Sequence, residues 1–299
     1  MWAPGSLLGL PLAALLIAGT DRSGRTLPLA GGLAAVSLSV MLMASGGDGA
    51  SPNRLAGFTN AYIILVTAAF LGVVLLKPAA LLRQTVRAVA AGGAATALLV
   101  QLLWGADGWR ALAWEATRDA GLAMRFVVER TPNAFNAYEP VVRFVSLMTP
   151  GMLVLQTFAG FALAWSWHQR LVTAPLGAPA TRFREFRIAD GWVWGIVAWL
   201  AIWIAPTTGI LHVAGANMGF VLTTLYALRG AAIVTVFAEA AGISAIALIV
   251  AGSIATALAL PLLLLLPGLC TLGITDTWYQ YRRRLAARQP RIPPHSKAP

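Results

Sequence analysis

One arginine, Arg229, stands within a long apolar run that extends from Asn217 to about Ala241. A guanidinium at membrane depth is costly unless paired, so it should face other helices and find an acid, a carbonyl or a ligand. Counted from Asn217, it lies about 18 Å along a helix, close to the middle of a bilayer. Two acids stand in the same part of the chain. Glu239 is on the same helix but about 15 Å further on by helical rise, too far to pair directly. Asp276, near the end of the last apolar stretch, is the better partner. Asn217 lies in Gly215-Ala216-Asn217-Met218-Gly219 after a break at Pro206–Gly209. It is placed to cap the long helix or to touch a substrate, and the glycines beside it permit close helix approach. Asn217, Arg229, Glu239 and Asp276 are the candidate ligand-binding residues. The chemistry they offer is ionic and hydrogen-bonded recognition between helices.

Catalysis is not expected. His168, His212 and His295 are widely separated along the chain, which disfavours a bis-histidine haem or a zinc cluster. The lone Cys270, in Gly268-Leu269-Cys270-Thr271-Leu272, excludes an internal disulfide and reads as a buried thiol. No nucleotide-binding, zincin or Gly-x-Ser-x-Gly motif is present. No catalytic residue, metal ligand or cofactor is therefore assigned. A membrane enzyme would have only Glu239 and Asp276 as acids in one region.

The elements that must position these residues follow from composition. Of 299 residues, 58% are apolar and only 11% charged, with a mean hydropathy of +0.73. Soluble domains carry about 25% charged residues, so lipid is the expected solvent. Backbone groups in lipid must be satisfied within the segment, and continuous apolar runs without alternation favour helices over a barrel. The fold class is all-α, a polytopic transmembrane bundle of about eight to nine helices, each needing roughly 20 residues. The expected spans are Ser6–Gly19, Leu27–Ser45, Phe58–Leu76, Thr85–Trp104, Val141–Trp167, Gly191–Ala205, Asn217–Ala241 and the stretch Ile243–Trp278. Leu7–Gly19 has no basic segment before it, and Asp21-Arg22-Ser23-Gly24-Arg25 follows. It reads as a short first membrane helix, not as a cleaved signal. Trp165, Trp167, Trp192, Trp194, Trp199 and Trp203 cluster near span ends, as interfacial anchors do.

Residues 1–281 form the expected membrane domain, and 282–299 a basic, unstructured cytoplasmic tail. Within the domain, about 108–131 differs from the spans. Arg110, Glu115, Arg118, Asp119, Arg125, Glu129 and Arg130 alternate with apolar residues at helical spacing. This pattern predicts an amphipathic helix at the membrane surface, serving as a connector or as a gate over a pocket.

The net charge of +11 reads as cytoplasmic loop charge, not as nucleic-acid binding. The segments 20–26, 77–87 and 168–190 and the tail after 281 hold 15 of the 22 Lys and Arg residues. The segments 46–57 and 105–143 balance their arginines with acids. The asymmetry places the basic set in the cytoplasm. It survives only if 243–278, about 54 Å as one straight helix, turns back on itself. Pro261 and Pro267 offer the turn, giving helices at about 243–260 and 262–279 and nine crossings in all.

Two stretches carry a resemblance. The first is Phe183-Arg184-Glu185-Phe186-Arg187-Ile188-Ala189-Asp190-Gly191-Trp192-Val193-Trp194. The second runs from Asn217 through Leu225-Tyr226-Ala227-Leu228-Arg229-Gly230 to Leu272-Gly273-Ile274-Thr275-Asp276-Thr277-Trp278-Tyr279-Gln280-Tyr281-Arg282-Arg283. Together they resemble the YybS-like family of bacterial membrane proteins, a domain of unknown function. Arg229 replaces the usual Gln and Gln280 the usual acid, and an additional N-terminal helix of fuller members is missing. The family is similar in fold to the substrate-binding S components of energy-coupling factor transporters. The resemblance implies a transporter-like component of the bacterial inner membrane that binds a small molecule and acts with partner subunits in the bilayer. The competing expectation is a structural or assembly subunit that binds other membrane proteins without a ligand, as its small-residue patches such as Ala90–Ala95 would suit. A reporter fused after Arg284 should read cytoplasmic, and a periplasmic signal would rule out the nine-crossing arrangement.

Overall fold

The computed structural model describes residues 4–20, 26–45, 53–76, 79–173, 176–205, 209–257 and 262–288. Among them the chain is helical throughout its regular elements, with no strand. It divides into two compact units, Met1–Ala180 and Thr181–Pro299, where the sequence reads as one domain. The division falls at a Pro- and Gly-containing segment that forms no helix.

The first unit holds α1 (Pro4–Thr20), α2 (Thr26–Ser45), α3 (Arg54–Leu76), α4 (Leu81–Arg130) and α5 (Tyr138–Leu171), with a 3-10 turn at Pro132–Ala137. α3 is its centre, packed against both α2 and α4, while α1 lies along α5. Gly92 lets α4 approach so closely that a Cβ there would fall 2.6 Å from Val66 Cα. The core is aromatic: Phe70 stacks on Phe161 at 4.3 Å, and Trp165 meets Phe70 edge-on. Trp165 is 1% exposed and donates Nε1–H to the Ala178 carbonyl. It is a core residue and not the interfacial anchor that its position near a span end suggested.

α4 is broken at Gly105, where φ is +61° and ψ is −155°. Residues with a side chain rarely adopt that conformation, so glycine is what permits the bend. The break separates an apolar arm, 81–104, from an amphipathic arm, 106–130, in the region read as a surface helix. Leu112, Ala116 and Met124 turn inward on this second arm, while Trp114, Leu122 and Phe126 stay exposed. Its buried acid has a specific task. Glu115 accepts hydrogen bonds from the backbone N–H groups of Leu55 at 2.7 Å and Arg54 at 3.3 Å. Asn53 Oδ1 accepts a third from Ala56. These donors open α3 and have no partner within the helix, and a carboxylate also suits the positive end of its dipole.

The second unit holds α6 (Val193–Ile204), α7 (Ile210–Ala240), α8 (Ala245–Ala257), α9 (Leu262–Tyr279) and α10 (Tyr281–Arg288). α6 and α7 run antiparallel, since Gly195 meets Leu222 and Gly215 meets Ile202. α7 and α9 run parallel. Cys270 packs against the cluster that holds Leu222 and Tyr226, Arg229 reaches Asp276, and Phe237 meets Tyr281. Two parallel helices joined in sequence require the chain to return between them, and α8 supplies about 20 Å of that return. The stretch 243–279 is thus two helices, although the turn expected at Pro261 lies outside the described residues. At 12 residues, α6 rises only about 18 Å, less than the roughly 30 Å of a hydrocarbon core. The chain beyond Tyr281 also differs from the expected unstructured tail, since residues 281–288 are helical and 289–299 lie outside the description.

Among the described residues, four helical segments are long and apolar enough to cross a membrane: Arg54–Leu76, Leu81–Arg130, Pro132–Leu171 and Ile210–Ala240. Shorter apolar helices lie at Ser6–Gly19, Gly31–Met43 and Asp190–Ile204. These segments mark the chain as a membrane protein. Replacing Glu115 by Ala should destabilise the detergent-solubilised protein by about 1–3 kcal/mol, because buried N–H groups lose their acceptor. Glu115→Gln, which keeps an oxygen acceptor, should lose less. Equal melting temperatures for the wild type and Glu115→Ala would show that this cap contributes nothing.

Candidate functional site

The second unit gathers its charged groups at one end, where α6 begins and α9 stops. A 3-10 turn at Asp190–Trp192 leads into α6, and a second at Phe183–Glu185 precedes it. α7 passes this end and continues to Ala240. At the same level α9 gives way to α10 through Gln280, whose φ of +47° puts a non-glycine residue in the left-handed region. Such a conformation costs about 1–2 kcal/mol. Here it is held by Asp276 Oδ1, which accepts the Tyr281 N–H at 3.0 Å.

Arg229 is 1% exposed. Its Nε donates to Asp276 Oδ2 at 3.2 Å, and Nη2 donates to the same oxygen at 3.0 Å. Nη2 also donates to Asp190 Oδ1 at 3.3 Å. Nη1 donates to the Ile188 carbonyl and to Thr277 Oγ1, both at 3.3 Å. A guanidinium has five N–H groups, and all five find protein acceptors. Asp276 is as buried as its partner, whereas Asp190 is 62% exposed. Gly230 and Gly273 make this density possible. A Cβ at Gly230 would collide with the Leu269 carbonyl, and one at Gly273 with that of Tyr226.

Next to this core lies an open cavity of about 420 Å³. Arg184, Arg187, Arg282 and Arg283 line it together with Glu185 and Glu239. Arg184 Nη1 pairs with Glu239 Oε2 at 3.2 Å, both side chains being about half exposed. Arg282 reaches back over the core, donating from Nη2 to the Phe186 carbonyl at 3.0 Å. Burial holds its guanidinium below the usual arginine value. Asp276 opposes that shift, while Arg187 and Arg229 add to it.

The four candidates from the sequence therefore separate. Arg229 and Asp276 come together. Glu239 is apart from them, as its helical distance required, and pairs with Arg184. Asn217 is not the cap of α7, because the helix begins at Ile210 after Gly209. It lies two turns inside and donates its side-chain amide to the Val213 carbonyl at 2.9 Å. The earlier start also moves Arg229. It lies about 28 Å along α7, level with the ends of α6 and α9.

Sequence reasoning did not single out Asp190, Ile188, Arg184 or Arg282. Asp190 and Arg184 belong to the run Phe183–Trp194, but no spacing rule linked them to α7. Among the described residues, no cluster of His, Cys, Asp and Glu could hold a metal ion. Comparison of the chain with protein-family models, curated proteins and solved structures finds no match.

Arg229→Met should destabilise the protein by about 3–5 kcal/mol, because it strands the buried Asp276 carboxylate. Adding Asp276→Leu should recover part of that loss, so the two effects should fall well short of additive in a double-mutant cycle. Full additivity in denaturant or thermal unfolding would mean that the pair does not interact.

Proposed function

We propose that the chain is a transporter-like, small-molecule-binding component of a bacterial inner membrane that acts with partner subunits and by binding, without catalysis. The observation that carries this reading is the open cavity at the α6/α9 end of the second unit, with its four arginines and two glutamates. Its volume of about 420 Å³ falls in the range usual for small-molecule pockets, about 300–1,000 Å³. The likeness of the runs 183–194 and 217–283 to the YybS-like family, and through it to S components, supports the same reading.

The site lies at a helix end and not at the mid-depth position first expected from Arg229. Arg229 itself, with every donor taken, acts as a positioning residue for the cavity wall. On this reading the cavity end and the C-terminus are cytoplasmic, the chain crosses the membrane nine times, and no cofactor takes part.

A second reading, an assembly subunit that binds other membrane proteins without a ligand, is favoured by that same saturation of Arg229. The close contact of α7 and α9 at Gly230 and Gly273 also favours it.

Protein purified in mild detergent, then denatured and extracted, should release a small molecule at near-stoichiometric amount by mass spectrometry. Arg184→Ala combined with Glu239→Ala should reduce its occupancy at least several-fold. An empty wild-type protein, co-purifying instead with one stoichiometric membrane partner, would replace the binding reading with the assembly one.

A further inference from the structure

The cavity just described has an uneven charge, and its surroundings place it at a particular depth. Its four arginines face two glutamates. Arg184 takes both acids, with Glu239 at 3.2 Å and Glu185 at 3.9 Å. The remaining three have no carboxylate of the cavity. Arg282 bonds to the Phe186 and Arg229 carbonyls, and Arg283 to Gln280 Oε1. Arg282 Nε is buried and has no acceptor. Guanidinium groups brought together without matching acids repel one another, and an anion with several oxygens relieves that repulsion while accepting their forked N–H groups.

Beside the cavity stands an aromatic cluster. Tyr281 lies 6.4 Å from Phe237 and 5.7 Å from Tyr279, ring centre to ring centre. Arg284 sits over Tyr279, and Trp278 is 64% exposed. Tyr and Trp next to arginines at the end of apolar helices mark the headgroup level of a bilayer. Val236 and Leu285 add an apolar wall to the cavity. An arginine pocket at that depth, open on one side and apolar on another, suits a phosphate group more than a free cation or a neutral solute.

We infer that this cavity is a site for a phosphate-bearing anion, held by Arg187, Arg282 and Arg283, with the Arg184–Glu239 pair at its rim. The inference rests on the reading of the cavity as a binding site and adds the chemical class of the ligand. The phosphate can come from an anionic phospholipid headgroup or from a soluble phosphate ester. Both present the same doubly bonding oxygens to the arginines.

The test uses the full chain in a neutral detergent. Binding is measured for dioctanoyl phosphatidylglycerol, dioctanoyl phosphatidylcholine and glycerol 1-phosphate. Arg187→Gln with Arg283→Gln removes two exposed charges of the cavity wall. Arg83→Gln with Arg87→Gln removes two exposed charges from the first unit as a control. The wild type should bind the anionic lipid at least tenfold more tightly than the zwitterionic one. The cavity variant should lose roughly tenfold, the scale of one charge-assisted contact, and the control should lose nothing. Competition by glycerol 1-phosphate identifies the soluble ester as a sufficient ligand, and its failure to compete identifies the lipid. Equal affinity for the two lipids together with no binding of glycerol 1-phosphate, or equal losses in the two variants, overturns the inference. If the molecule released from purified protein carries no phosphate yet depends on Arg184 and Glu239, the cavity remains a binding site and only the phosphate assignment falls.

Discussion

A buried guanidinium must have all of its donors satisfied, and in the second unit that requirement organises everything around it. Arg229 offers five N–H groups and is itself buried, so water does not supply their acceptors. Its acceptors come from two separate parts of the chain: Ile188 and Asp190 before α6, and Asp276 with Thr277 at the end of α9. Satisfying one side chain therefore brings the start of α6, the waist of α7 and the end of α9 to a common level. Once α7 and α9 share that level and run parallel, α8 has to return the chain between them. Asp276 carries the constraint one step further, because its second oxygen anchors the first residue of α10.

The cavity is a consequence of this arrangement. Arg282 is drawn over the core by the Phe186 and Arg229 carbonyls. The 183–187 loop is held near it through Ile188. What remains between the loop, the end of α7 and α10 is an opening lined by the arginines that the core did not use. The division of labour is physical: two buried carboxylate contacts fix the scaffold, and more exposed arginines at its edge remain open to solvent. Mutations in the first group should act on stability, and mutations in the second on recognition.

The first unit solves the same problem by different means. Its buried charge is an acid, Glu115, and its acceptor capacity goes to the unpaired N–H groups at the start of α3. The amphipathic arm of α4 can deliver that acid because Gly105 turns the chain back after the apolar arm. Both units thus place their buried ionic group at a helix end, where backbone polarity or an opposite charge is available. Along the helix walls, packing is left to apolar and small residues such as Val66, Gly92, Phe161 and Gly160.

Much of this was legible in the residues themselves. A low charge content and uninterrupted apolar runs require helices in lipid, because only helices satisfy their own backbone there. The separation of Arg229 from Glu239 followed from helical rise alone, and so did the need for 243–279 to be more than one straight helix. The choice of Asp276 as the partner of Arg229 was also readable, from its place near the end of the last apolar stretch. Helix starts were less legible. Asn217 has the chemistry of a cap, but α7 begins at Ile210, and the side chain bonds back to Val213 instead. Trp165 has the composition of an anchor, yet the packing of Phe70 and Phe161 draws it into the core. Asp190 and Arg184 were beyond sequence reasoning, because their roles depend on which helices are neighbours and at what level. Apolar patterning determines that a segment spans a membrane; the register between segments is decided only when a buried charge finds its acceptors in three dimensions.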